Sequence, residues 1–189
     1  MGLGCLTEQP ETRYVRFLRG INVGGHRKIP MQDLRASIAA LTGDPAPCSY
    51  IASGNVVFDA KGAKGAIQTQ LEDGITETFG FDVPVLLRTA DEITQIAATC
   101  PFPDAKGKHV LAYLCFDAPT LDRAAIAGVQ TASEHLQVVG RTVWLHAPDG
   151  IGRSRLVAQI ERYIGVGATA RNFNTIRKMA EMVVTLDGS

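Results

Sequence analysis

Tyr14-Val15-Arg16-Phe17-Leu18-Arg19-Gly20-Ile21-Asn22-Val23-Gly24-Gly25-His26-Arg27-Lys28-Ile29-Pro30 holds a strand, a glycine-rich turn and a helix start in one run, and the architecture of the chain turns on it. Val15 and Phe17 alternate with Tyr14, Arg16 and Leu18, the period-two pattern of a strand with two distinct faces. The glycines let the backbone take positive φ angles and turn successive N–H groups toward one point. Pro30 suits a first helical residue, and Met31, Leu34, Ile38 and Leu41 follow at helical spacing to Gly43. A glycine-rich loop ahead of a helix is a natural place to hold an anion, because the loop amides and the helix dipole act together. The spacing matches neither the dinucleotide fingerprint nor a phosphate loop with its Lys-Ser/Thr ending. Taken alone, the run reads first as a tight structural turn.

Outward from this run, residues 1–12 are polar and without period, and read as a disordered lead-in. Downstream, Ser49–Asp59 reads as two short strands, or one bent strand, around the turn Ser53-Gly54-Asn55. Ile67, Leu71, Ile75 and Phe79 mark one face of a second helix, stopped by Gly80. Val83-Pro84-Val85-Leu86-Leu87 is a strand, with Pro84 tolerated near its start. Residues 13–88 therefore read βαββαβ, the split arrangement of two helices on a four-stranded antiparallel sheet.

Thr89-Ala90-Asp91-Glu92 has capping-box spacing and opens a helix with Ile93, Ile96 and Ala97 inward. Cys100-Pro101-Phe102-Pro103 ends it and marks the expected subdomain boundary. The pattern then restarts. His109–Phe116 is a strand, a short helix begins near Pro119, and Leu136–Val139 with Thr142–His146 forms a hairpin around Gly140-Arg141. A helix through Leu156, Ile160 and Ile164 closes at Gly165, and a last helix from Asn172 lines up Phe173, Ile176, Ala180 and Val183. The expectation is an α+β fold of two ferredoxin-like (α/β plait) halves, residues 13–100 and 101–189, with mainly antiparallel sheets.

Composition describes an ordinary globular protein. Lys plus Arg equals Asp plus Glu at 19 each, so a generic polyanion binder is disfavoured. Residues 1–30 carry five basic and two acidic side chains and residues 150–189 six and three, so both ends are basic and the middle is acidic. Cys5, Cys48, Cys100 and Cys115 form no paired motif and read as reduced cysteines, with Cys115 in the core. The opening Met-Gly-Leu-Gly-Cys lacks an export signal's apolar run, and Leu6 breaks the myristoylation pattern. With no apolar run near the roughly 20 residues of a membrane span, a cytoplasmic setting is expected.

Three groups of residues combine a turn with hydrogen-bond donors suited to a phosphate or carboxylate. They are Arg19, Asn22, Gly24, Gly25 and Lys28; then Ser53 and Asn55; then Arg153 and Ser154 with Arg171, Asn172 and Asn174. In the site reading, Gly24 and Gly25 supply backbone donors, the Arg and Lys side chains supply charge, and the Asn and Ser side chains orient the ligand. Singly, each group is better explained by helix caps and hairpin turns, and only their joint appearance brings the site reading level with that one. Catalytic templates are weaker. Ser53, His26 and Asp59 could be assembled into a triad, but no serine sits in a nucleophile elbow. His26 and His146 have no neighbour at metal-ligand spacing, so no metal and no cofactor are expected. The aromatic strand motif of RNA-recognition sheets is absent.

Several of these motifs together resemble the bacterial domain-of-unknown-function family 1697. They are Tyr14–Gly25 with Lys28-Ile29-Pro30-Met31, Tyr50–Phe58, Cys100-Pro101-Phe102, Gly152–Leu156, and Thr169–Thr175. Ala52 stands where a glutamine is expected, and Phe173 where tryptophan is usual. The resemblance implies a two-part α/β plait in a cytoplasmic bacterial protein, and it implies no reaction. The resulting functional expectation is binding of an anionic or phosphorylated small molecule in a cleft between the halves. A nucleic-acid-binding module and a non-catalytic structural or partner-binding protein are the alternatives. Whether the protein is an enzyme, and its oligomeric state, stay open.

Overall fold

The structure is a computed structural model that describes residues 10–22 and 27–186. The fold is α+β, with two four-stranded antiparallel sheets and six α-helices among the described residues. The chain divides into two compact units, residues 1–89 and 90–189.

The first unit runs β1 (Glu11–Leu18), α1 (Met31–Thr42), β2 (Cys48–Tyr50), β3 (Asn55–Lys61), α2 (Lys64–Phe79) and β4 (Val85–Thr89), with sheet order β2-β3-β1-β4. This is the expected βαββαβ sequence of elements, although β1 begins two residues before Arg13. Period-two alternation sorts β1 cleanly. Tyr14 and Leu18 point to the face covered by α1 and α2, where they meet Leu34, Ile38, Ile67, Leu71 and Ile75. Val15 and Phe17 point to the opposite face and are also buried. Pro30 occupies the cap position just before α1, its carbonyl accepting the first helical bond from Leu34 N at 3.0 Å. Gly43 and Gly80 end the two helices in the left-handed conformation, as their places after the last apolar positions foretell.

The second unit opens with α3 (Ala90–Ala98), then β5 (Val110–Cys115), α4 (Arg123–Ala127), β6 (His135–Val139), β7 (Thr142–His146), α5 (Arg155–Tyr163), β8 (Ala168–Asn172) and α6 (Phe173–Thr185). Its sheet order, β6-β7-β5-β8, repeats that of the first unit element for element. Ala168–Asn172 carries little β-branched character and reads from sequence only as a polar approach to the last helix. It becomes a strand because β5 has an open edge, on which Leu111 pairs with Asn172 and Cys115 with Ala168. Each sheet's last strand passes without a loop into a helix, β4 into α3 and β8 into α6.

The units divide between Thr89 and Ala90, eleven residues before the boundary expected at Cys100-Pro101. The physical reason is that α3 packs against α6, so the helix after β4 joins the second unit. One face of the second sheet, with Tyr113, Cys115, Val143 and Leu145, packs on α4 and α5. On its other face Trp144 meets Phe173 of α6 edge-on, ring centroids 5.7 Å apart.

Candidate functional site

In the first unit, the structure brings two of the three sequence runs together. Asn22 sits at φ 54°, a left-handed conformation that asparagine tolerates better than most residues. Its side-chain amide donates to Ile29 O at 3.1 Å and Ala52 O at 2.7 Å, while its carbonyl oxygen accepts from Ile29 N at 2.9 Å. Its backbone N–H donates to Arg27 O at 3.2 Å, closing the loop. Asn22 therefore staples the loop to both the start of α1 and the β2–β3 turn. Gly24 and Gly25, with Val23 and His26, lie outside the described residues. Arg19 is half-buried, and its backbone N–H meets Pro84 O at 3.3 Å.

The β2–β3 turn is built for this contact. Asn55 is fully buried, and its amide donates to Tyr50 O at 3.1 Å and Ser53 Oγ at 2.9 Å. Gly54 takes φ 76°, and a Cβ there would stand 2.8 Å from Ile21 Cδ1 and 2.9 Å from Leu18 Cβ. Only glycine allows the turn to lie this closely on the end of β1.

Between loop and turn is an open depression of about 410 Å³, lined by Asn22, Lys28, Ile29, Pro30, Met31 and Ala52. It lies at the N-terminus of α1, whose first-turn N–H groups precede the first intrahelical bond and have no helical carbonyl to meet. Lys28 is exposed at its rim. Asp33 in the first turn of α1 works against an anion, and Ala52 places a methyl where a glutamine amide was expected.

The second unit's runs serve largely as caps. Ser154 caps α5, accepting from Val157 N at 2.9 Å, and its hydroxyl donates to Glu134. Glu134 is buried and also accepts from Thr131 N at 2.9 Å, so Ser154 faces a carboxylate. Arg153 is exposed on the 3-10 turn Ile151–Arg153, beside a small cavity of about 140 Å³ that Glu134 and Asp149 also line. Asn172 caps α6, accepting from Thr175 N at 2.9 Å and Thr175 Oγ1 at 3.1 Å. Asn174 is exposed on the first turn of α6 and lies over Gly107. Arg171, on β8, is buried; its Nη1 donates to Thr169 Oγ1 at 2.8 Å and Ala170 O at 2.7 Å. Burial lowers its pKa to about 10, so it remains a cation at neutral pH.

Two features escape sequence reading. Arg16, placed by its period on the helix-covered face of the first sheet, is fully buried, and burial lowers its pKa to about 9. In the second unit, His135 and His146 are cross-strand partners with rings stacked 6.2 Å apart. Phe102 lies 5.5 Å from the His146 ring, and His109 belongs to the same group electrostatically. The signal for this cluster was the hairpin register, which sets residue 135 opposite 146.

The triad reading has no support in the described residues. Asp59 is held bidentately by Arg13, at 2.9 and 2.8 Å, and Ser53 Oγ accepts from Asn55. No group of three or more His, Cys, Asp or Glu side chains among the described residues is arranged to hold a metal. No described helix is long and apolar enough to cross a membrane.

A family model described as "Protein of unknown function (DUF1697)" matches residues 12–144, which span the first sheet from the second residue of β1 and continue to Trp144 on β7. No curated protein matches the chain. Among solved structures, the conserved bacterial protein SP0830 from Streptococcus pneumoniae is similar with a TM-score of 0.74 and 22% identity, covering 92% of this chain and 99% of its own. At that identity the likeness speaks for the fold alone.

Proposed function

The chain belongs to the DUF1697 family of proteins of unknown function, and from that premise, which supplies no reaction, we propose that it binds an anionic small molecule at the start of α1. The observation that carries this is the depression bounded by Lys28, Asn22 and the first turn of α1. Helix N-terminal amides and a nearby ammonium favour a phosphate or carboxylate over a neutral group. In this reading Lys28 supplies charge, the α1 amides supply donors, and Asn22 holds the wall in place without touching the ligand. The open shape suits a phosphorylated small molecule whose remainder stays in solvent. A bacterial cytoplasmic setting and a ferredoxin-like description of each half go with the reading; the first draws on the family relationship, the second on the repeated strand order.

Thermal unfolding in the presence of nucleotides, sugar phosphates and carboxylates tests it, because a ligand of the folded state raises the midpoint as its site fills. A rise with at least one phosphorylated compound, absent with chloride at equal ionic strength and lost in Lys28→Ala, is the expected result. If no anion shifts the midpoint, or if Lys28→Ala responds as the parent does, the reading fails.

A further inference from the structure

Two arginines three residues apart on β1 present the same hydrogen-bonding edge in different surroundings. Arg13 donates from Nε to Asp59 Oδ1 at 2.9 Å and from Nη2 to Asp59 Oδ2 at 2.8 Å. These two nitrogens form the side of the guanidinium whose parallel N–H bonds fit both oxygens of one carboxylate. Arg16 carries that same pair, Nε and Nη2, fully buried and with no hydrogen-bond partner among the described residues.

Among the described residues, the environment of Arg16 supplies no counter-charge. Its cross-strand neighbours are Val56 on β3 and Leu87 on β4, and its same-face neighbours along β1 are Tyr14 and Leu18. All belong to the apolar core that α1 and α2 cover. Asp59 projects from the opposite face and is held by Arg13. Glu72 of α2 accepts from Val85 N at 2.9 Å, at the beginning of β4. A guanidinium stays protonated at neutral pH even when burial depresses its pKa. An uncompensated buried charge is among the costliest features a fold can keep, and an apolar side chain of similar length would fill the same space without that cost.

We infer that Arg16 anchors a second anion site in the first unit, its Nε–Nη2 edge taking the carboxylate or phosphate group of a small ligand inside the core beneath α1 and α2. The planar fork selects a group with two oxygens in one plane over a halide, which could meet the two N–H bonds only with poorer geometry. The apolar residues around Arg16 favour a small organic acid or phosphomonoester that leaves no further polar group unmatched. Since Arg16 has no exposed surface, entry requires local displacement of the covering helices. The inference goes beyond the function proposed above, because Arg16 does not line the depression at the start of α1.

The test follows the Arg Nε–H resonances of the ¹⁵N-labelled full chain during titration with inorganic phosphate and with acetate, against chloride at matched ionic strength. Arg16→Met assigns the Arg16 signal. The expected result is a saturable movement of the Arg16 signal with phosphate or acetate and none with chloride, while the Arg13 signal, held by Asp59, stays still. Persistence of this response in Lys28→Ala supports the second site. In thermal unfolding, Arg16→Met is expected to melt at or above the parent, and Arg16→Lys, which keeps the charge without the fork, to lose the anion-specific rise of the Arg16 site. An Arg16 signal unmoved by both anions overturns the inference. So does an Arg16→Met midpoint several degrees below the parent, since the guanidinium would then be satisfied within the fold. If Arg16→Met does not fold, the titration of the parent, with the signal assigned through Arg16→Lys, decides alone. A phosphate response retained in Arg16→Met but lost in Lys28→Ala supports the α1 site and overturns this one.

Discussion

The sequence marks Asn22 as a residue suited to orienting a ligand, and in the fold its amide is bonded to Ile29 and Ala52. Asn22→Ala gives up three side-chain hydrogen bonds, and about 1–3 kcal/mol of stability is the expected loss in urea titrations followed by circular dichroism. Asn22→Gly relieves the left-handed backbone but loses the same bonds, so it should recover only a fraction of that. Gly54 is stricter. Gly54→Ala adds a strained positive φ to a contact with Leu18 Cβ on the strand itself, and a loss of roughly 2–4 kcal/mol is expected from the two together. A change below about 0.5 kcal/mol would mean that the turn shifts freely off β1. At this scale the sequence showed which residues favour turns and left-handed backbone, a local property. Which carbonyl Asn22 would bind was hidden, because Ala52 stands thirty residues away.

At the scale of elements, helix caps explain several residues that also suited a binding site. Asn172→Ala removes the cap of α6 and is expected to cost about 1 kcal/mol. Trp144, the single tryptophan, lies against Phe173 at the start of that helix, so its fluorescence during denaturation reads the loss directly. The cluster of His109, His135 and His146 adds a pH dependence. The pKa of His146 is held below the usual imidazole value, first by burial and then by repulsion from His135 and His109. The unfolded chain therefore binds a proton at higher pH than the folded one, and stability falls as pH drops from the ordinary imidazole range, about 6.5, through the depressed value. The melting midpoint is expected to fall on acidification across that window, and less steeply in His135→Gln. A pH response identical in parent and variant would remove His135 from the account. The helices and most strands were legible as elements because their periods and stops are local. β8 was not, since its residues pair with β5 in spite of their weak strand propensity.

For the whole molecule, the equal count of acidic and basic side chains sets the outlook for nucleic acid. Nineteen of each leave no net charge, and binding to RNA or single-stranded DNA is expected to be weak, with little change between low and moderate salt in a fluorescence titration. A steep salt dependence with tight binding would instead favour a nucleic-acid module. The repeat of one strand order in two sheets was visible in outline, as a βαββ pattern that starts again after residue 100. By itself the sequence determined the order of elements apart from β8, the helix ends at Gly43 and Gly80, and the alternating faces of β1, because each depends on spacing within a few residues. Only the tertiary structure decided that α3 belongs with α6, that Ala168–Asn172 is a strand, and that Asn22 and Asn55 hold a turn together. It alone decided that Arg16 is sealed in an apolar core while Arg13 is paired. The two arginines are alike in sequence, and their difference comes from the carboxylate that β3 sets across from one and the valine that it sets across from the other.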